Sequence, residues 1–304
     1  MAAEGSVHDL AVIGAGPAGC GAAVQCRRMG FSVALLDRTG RPGGLVREAR
    51  LLENYPGLPA PVSGPDFCAC LETMLAGHDI EVLEFDVRSV SLRDGLFRSS
   101  GSRSGIASRA LVLAVGTEPV DYRLKAGDGV VLHRSLPELK DLGPSDAVII
   151  GGGEAALDYA LNLSDSGTRV RILVRGPGTR AGGRLLEEVV SRRSIEVLFD
   201  TLPVEAVADA QGGCRLTVLS GGVRSVIRTD AILAAVGRRP VLPALDFRPD
   251  LVPGTVQTPV NGLFAAGDAC MGSLGQASSA AGQGVTAGML ACAFLKEREQ
   301  PCSM

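Results

Sequence analysis

A turn of the form Gly14-x-Gly16-x-x-Gly19 joins the apolar run "HDLAVI" to the small-residue segment "PAGCGAAVQC", and Asp37 closes the apolar run that follows. Glycines at this spacing let a strand turn sharply into a helix. Backbone N–H groups at the helix start can then approach a pyrophosphate, and a carboxylate about 20 residues on can take ribose hydroxyls. The pattern recurs over residues 146–175, "DAVIIGGGEAALDYALNLSDSGTRVRILVR", with Gly151 and Gly153 in the first two glycine positions and Ala156 in the third. The chain therefore reads as a binder of two dinucleotides. In the second copy Arg175 stands for the closing acid and Arg180 follows five residues later. That pair suits a 2′-phosphate, hence NADPH over NADH; the alternative is that Arg175 is a solvated strand end.

Thiol chemistry is conspicuous by its spacing. The cysteines at 20, 26, 68, 70, 214, 270, 292 and 302 contain no Cys-x-x-Cys, and with three histidines in the chain few ligands remain for a metal cluster, so no metal is expected. Cys68 and Cys70 are the closest pair in sequence. Their segment, "GPDFCACLETML", reads as the start of an amphipathic helix that points them to different faces.

Each turn demands a strand before it and a helix after it, which makes the fold α/β. The run "RALVLAVGTEP" ends at Gly116, and "TPVNGLFAAGDACMGSLGQASSAAGQGVTAGMLACAFLKE" places Gly267-Asp268 at the end of an apolar strand before a long small-residue helix. "RTDAILAAVGRRP" reads as a strand re-entering the first domain. The expected architecture is two Rossmann-like domains, the second inserted in the first, with boundaries at 1–118 plus 244–304 and at 119–243. Forty glycines, 4% aromatics and no Trp fit such a fold. A net charge of −3 supplies no basic field, so nucleic acid is not an expected partner. The N-terminal "MAAEGSVHDL" has no basic stretch before an apolar core, and every apolar segment falls short of the roughly 20 residues of a bilayer span. A cytoplasmic protein without membrane contact is expected.

Taken together, these motifs resemble the low-molecular-weight thioredoxin-reductase-like flavoproteins over essentially the whole chain. "RPGGLVREARLLENYPGLPAPVSGPDF" is similar to the family loop carrying Gly-Gly-Gln and then Glu-Asn-Tyr/Trp-Pro-Gly, and "GLFAAGDACMGSLGQA" to its C-terminal flavin motif. The resemblance implies FAD held by Gly14, Gly16, Pro17, Gly19, Asp37, Gly43, Gly44, Asn54, Val87, Gly116, Gly267, Asp268, Gln276 and Ala277. It places Asp268 at the ribityl or phosphate region and the Gln276-Ala277 backbone beside the isoalloxazine. NADPH, or NADH, falls to Gly151, Gly153, Glu154, Ala155, Arg175, Arg180 and Gly237. A homodimer is also implied.

Three departures from the family pattern bear on function: Leu45 replaces a Gln, Gly275 replaces an Arg, and the redox Cys-x-x-Cys is missing from "VVLHRSLPEL", where His133, Arg134 and Ser135 stand. A thioredoxin reductase passes electrons from flavin to a disulfide through two cysteines held over the ring. Without them the chain resembles the thioredoxin-reductase-like ferredoxin–NADP reductases, and a further resemblance is to a flavoprotein of lipoate assembly. The expectation is an FAD-dependent NAD(P)H oxidoreductase that delivers electrons directly to an iron–sulfur protein. The alternatives are a reductase or oxidase of a small molecule or disulfide, working through the flavin or through Cys20, Cys270 or Cys302, and a non-catalytic flavin sensor. His133 can serve as a proton donor near the flavin or as a strand-end histidine with a satisfied hydrogen bond. Cys270 is either a flavin neighbour or a small buried thiol. Arg41, Arg47 and Arg50, diluted by Glu48 and Glu53, form either a docking patch or a solvated loop.

Overall fold

The computed structural model describes residues 7–102, 104–210 and 212–299. One unit is built from the chain up to Glu118 and again from Arg239; the other comprises Pro119–Arg238.

The first unit grows from the strand Val7–Ile13, buried from Leu10 onward and paired in parallel with Val33–Asp37 on one side and Gly105–Leu113 on the other. Helix α1 (Pro17–Arg28) makes the crossover, with Gly16 as N-cap and Pro17 at its start. Its buried face holds only Ala18, Gly19, Cys20, Ala22, Ala23 and Cys26. Helix α2 (Gly64–Ala76) is started by Ser63, whose hydroxyl accepts from the Asp66 N–H, and it buries Phe67, Cys68, Leu71 and Leu75 at helical spacing. A hairpin of Ser89–Arg93 and Leu96–Ser100 extends the sheet. Asp94 and Gly95 turn it with φ of 51° and 73°, as a two-residue hairpin loop requires.

The inserted unit repeats the plan. Its parallel sheet runs in the order Ile195–Leu198, Arg169–Leu173, Asp146–Ile150, Ala231–Ala234, Leu132–His133. Helices α3 (Leu136–Leu142), α4 (Glu154–Asp165) and α5 (Gly183–Ser191) belong to it. Beside this sheet lies a four-stranded one, with Val223–Thr229, Cys214–Ser220 and Thr201–Ala208 antiparallel and Lys125–Ala126 at its edge. The segment "RTDAILAAVGRRP" does not re-enter the first domain. Its strand Ala231–Ala234 is buried at every residue and pairs in parallel with Asp146–Ile150, because the second nucleotide turn needs a third strand of its own.

On its return the chain joins the first unit five residues earlier than the boundary expected at 243. Leu242 and Leu245 pack against the core containing Val90 and Phe97, which draws residues 239–243 to that side. The strand Leu263–Ala265 pairs with Gly105–Leu113, then come the one-turn helix α6 (Asp268–Met271) and the long α7 (Ala277–Glu299). Helices α1 and α7 pack backbone to backbone. A Cβ on Gly284 would lie 1.9 Å from the Ala18 carbonyl oxygen and one on Gly288 2.8 Å from that of Ala22. Any larger side chain there drives the helices apart, at a typical overpacking cost of about 1–3 kcal/mol. Among the described residues no helix is long and apolar enough to cross a membrane.

Candidate functional site

Both glycine turns sit at the carboxyl ends of parallel strands, where open α/β sheets take ligands. In the first, Gly14 has φ of 101°, its N–H donates to the Leu36 carbonyl at 2.7 Å, and a Cβ would lie 2.2 Å from Ala114 O. In the second, Gly151 has φ of 149°, its N–H donates to the Leu173 carbonyl at 3.0 Å, and a Cβ would lie 2.2 Å from Ala235 O. Only glycine fits either place. The flanking runs Ala114-Val115-Gly116 and Ala235-Val236-Gly237 occupy matching positions, so Gly116 and Gly237 correspond.

Helices α1 and α4 both begin without a side-chain cap, and a Cβ on their N-cap residues, Gly16 and Gly153, would meet no atom within 4 Å. Uncapped N–H groups beside open space, at the positive end of a helix dipole, fit the pyrophosphate of a dinucleotide. Glu154 and Ala155 stand in the first turn of α4.

The register corrects one reading of the second turn. Gly14 pairs with Leu36 as Gly151 pairs with Leu173, so the counterpart of Asp37 is Val174, and Arg175 answers to Arg38. The acid is thus replaced by a buried valine, with the arginine one residue beyond it. Asp37 itself braces the turn: its carboxylate accepts from the Ala15 N–H at 3.0 Å and from the Thr39 N–H and hydroxyl at 2.8 and 2.6 Å. Val174 fills the same place with hydrocarbon, 2.9 Å from a Cβ built on Gly152. Arg175 and Arg180 are both exposed. Burial pushes the Tyr122 phenol up, and the Arg175 guanidinium opposes that rise, which sets the two side chains near each other.

Around the first turn, Gly43 reaches back through its N–H to Ala15 O at 2.8 Å, and Cys68 Sγ occupies the space a Cβ on Gly43 would need. Gly44 lies against Gly16. Asn54 Nδ2 donates to Gln276 Oε1 at 3.0 Å, joining the Glu-Asn-Tyr-Pro-Gly loop to the residue before α7, which starts at Ala277. Gly267, the N-cap of α6, packs on Ala18 of α1 and so brings Asp268 to this turn. Val87 is half-buried on the core near Val90 and Phe97. The Arg47 guanidinium donates to the Pro42 carbonyl and ties the loop to itself.

His133 ends the edge strand of the inserted unit's parallel sheet, with Nδ1 3.3 Å from Glu138 Oε2. Ser135 Oγ donates to Glu138 Oε1 at 2.8 Å, and Arg134 reaches Pro119 O at 2.9 Å and Asp121 at 3.0 Å. The segment is a polar knot at the start of α3. Burial alone would raise the Glu138 carboxyl, but hydrogen bonds from Ser135, the Arg134 N–H and His133 outweigh it and hold it below the usual range.

The cysteines separate as follows. Cys68 is buried and Cys70 exposed, so they do face different ways. Burial, with Asp37 and Cys68 nearby, pushes the Cys20 thiol up to about 12, and burial likewise raises Cys270 and Cys68. Cys270 is a buried thiol directed at Gly267 O. The pair that sequence spacing could not reveal is Cys26 with Cys292, both buried, Sγ to Sγ 3.2 Å across α1 and α7. Cys26 lies nine residues beyond Pro17, about 14 Å along α1 from the glycine turn. Its hydrogen bond with Cys292 and its burial hold it well above the usual thiol range. Cys302 falls outside the described residues.

The family model described as pyridine nucleotide-disulphide oxidoreductase matches residues 8–284. The bifunctional thioredoxin reductase/thioredoxin of Mycobacterium leprae is 30% identical over 311 residues, spanning 97% of this chain and 67% of that protein. The thioredoxin reductase of Listeria monocytogenes is 28% identical over 333 residues, spanning 99% and 98% respectively. The solved structure of Lactococcus lactis thioredoxin reductase shares the fold, with a TM-score of 0.85 at 24% identity over 95% of this chain and 99% of that one.

Proposed function

Since the chain belongs to the pyridine nucleotide-disulphide oxidoreductase family, we propose that it takes reducing equivalents from NADPH and hands them from FAD directly to a docked acceptor, without a thiol relay. It is a thioredoxin-reductase-like flavoprotein oxidoreductase of FAD and NAD(P)H. Bound FAD supplies acceptance of a hydride from nicotinamide and release of electrons singly or in pairs. The protein's own residues bind and orient. Gly14, Gly16 and the start of α1 hold one pyrophosphate, Gly151, Gly153 and the start of α4 the other, and Arg175 with Arg180 receives the 2′-phosphate.

The observation that carries the reading is the segment 130–139, where the sequence holds His133, Arg134 and Ser135 and no cysteine. Those side chains are engaged with Glu138, Pro119 and Asp121. Burial raises the thiols of Cys20 and Cys270, which argues against either as a nucleophile because the thiolate is the reactive form. An iron–sulfur protein is the acceptor this scheme favours, as in ferredoxin–NADP reductases or an electron supply to lipoate assembly, and the working form is a homodimer.

Replacing Cys20, Cys26, Cys70, Cys270 and Cys292 singly by Ser, then following NADPH-driven flavin reduction and its reoxidation by rapid mixing, tests the scheme. Both rates are expected to stay at the parent's value with ferredoxin-type and artificial acceptors. Normal reduction with collapsed reoxidation in any one variant puts a thiol on the path and reassigns the chain to disulfide chemistry.

A further inference from the structure

Helix α6 is a single turn, Asp268–Met271, and one turn does not sustain itself in water, since nucleation fixes several residues for one hydrogen bond. Gln283, on α7, grips it at both ends. Its Oε1 accepts from the Gly267 N–H at 2.9 Å, with the Cys270 thiol 3.5 Å from the same oxygen, and its Nε2 lies 2.8 Å from Met271 Sδ. Gly267, at φ of 77°, has no conformational preference of its own that would hold this turn. The Asp268 carboxylate is in turn seated at Gly275, where a Cβ would come 2.5 Å from Oδ1. Gly275 has φ of −63° and ψ of 120°, open to any residue, so what its lack of a side chain provides is room for that carboxylate.

We propose that Gln283 is a positioning residue for FAD, fixing the Gly267–Asp268 turn so that the Asp268 carboxylate faces the flavin's ribityl and phosphate region. The inference rests on the reading of Asp268 as an FAD ligand. Gln283 lies 16 residues from Gly267 and acts through the turn it holds.

The test titrates FAD into apoprotein of the full chain for the parent, Gln283→Met, Gln283→Glu and Asp268→Asn, with the melting temperature of each apoprotein and its NADP⁺ affinity measured alongside. Gln283→Met keeps the bulk and removes the acceptor; it is expected to weaken FAD binding about tenfold, as losing the acceptor for a buried N–H does. The apoprotein should melt somewhat lower, because an unpaired buried N–H also destabilises the fold, while its NADP⁺ affinity should stay at the parent's value, which a general loss of folded protein would not allow. Gln283→Glu retains the acceptor and should recover most of the lost affinity. Parental FAD affinity in Gln283→Met, or equal weakness in the Met and Glu variants, overturns the proposal even if Asp268→Asn binds FAD poorly. Parental affinity in Asp268→Asn overturns the reading of the acid, and with it the route assigned to Gln283.

Discussion

In the first unit the loop after the second strand folds back so that the Gly43 N–H meets Ala15 O at 2.8 Å; in the second, the Arg180 N–H meets Gly152 O at the same distance. The backbone scaffolds correspond station by station, and the side chains hung on them do not. Asp37 against Val174, Gly43 against Arg180 and Gly19 against Ala156 are the divergent pairs. Gly43 leaves its space to Cys68 Sγ, whereas Arg180 projects a guanidinium from the matching point. A Cβ on Gly19 would stand 1.8 Å from Gly14 O, while Ala156 carries one and is fully buried, so α4 must sit farther from its turn than α1 does. The same peptide frame therefore yields two differently charged rims, built by substitutions that leave the frame alone.

The largest effects should come from breaking one frame and sparing the other. Gly14→Ala combines a positive φ with a Cβ 2.2 Å from a carbonyl oxygen, and costs about 2 kcal/mol or more at the first turn. Purified protein should lose FAD but still bind NADP⁺, as read by the flavin-to-protein absorbance ratio and by titration. Gly151→Ala should give the mirror image, a yellow protein that NADPH no longer reduces.

Next in size is the rim. Arg175→Ala and Arg180→Ala should each lower kcat/KM for NADPH about tenfold, the loss of one charge-assisted hydrogen bond, with NADH unaffected. A ratio of the two nucleotides that does not move in either variant removes the guanidinium reading. Comparable in size, Ala156→Gly should cost about 2 kcal/mol in a denaturant melt, through helix propensity and the buried methyl it removes, while its FAD content stays full.

The smallest effect concerns a feature the first unit lacks, the knot at Glu138. A carboxyl held below its unfolded value adds stability that is fully present above the ordinary glutamate range and disappears as pH falls through the depressed value. Glu138→Gln should therefore melt slightly lower than the parent at neutral pH, and the two should converge in acid. The side chain is half exposed, so screening keeps the difference under about 1 kcal/mol.

Much of this was legible before any coordinates, because the glycine turns obey hard steric limits. Gly14 and Gly151, the uncapped helices and the insertion all follow from motif order. The sequence misled where counting substituted for register. Arg175 reads as the replacement of an acid, yet hydrogen bonds from Gly14 and Gly151 align Val174 with Asp37. The strand Ala231–Ala234 looked like a return to the first domain because an apolar run does not say which sheet it will join. Cys26 and Cys292, 266 residues apart, meet only once α7 lies on α1. Gln283 gave no signal either, since a glutamine in a small-residue helix looks like any solvated position.

The discontinuous first unit also dictates an order of assembly during synthesis. Every strand of the inserted unit lies between Pro119 and Arg238, so its sheets can close as soon as that stretch has emerged. The first unit has to keep α1 waiting for α7, some 250 residues later, and bear the loop-closure entropy of that delay. Asp268, Gln276 and the clamp at Gln283 all arrive with this last stretch. The site for NADPH is thus expected to mature first, and a nascent chain stopped before Gly262 should hold that nucleotide while capture of flavin awaits the final helix.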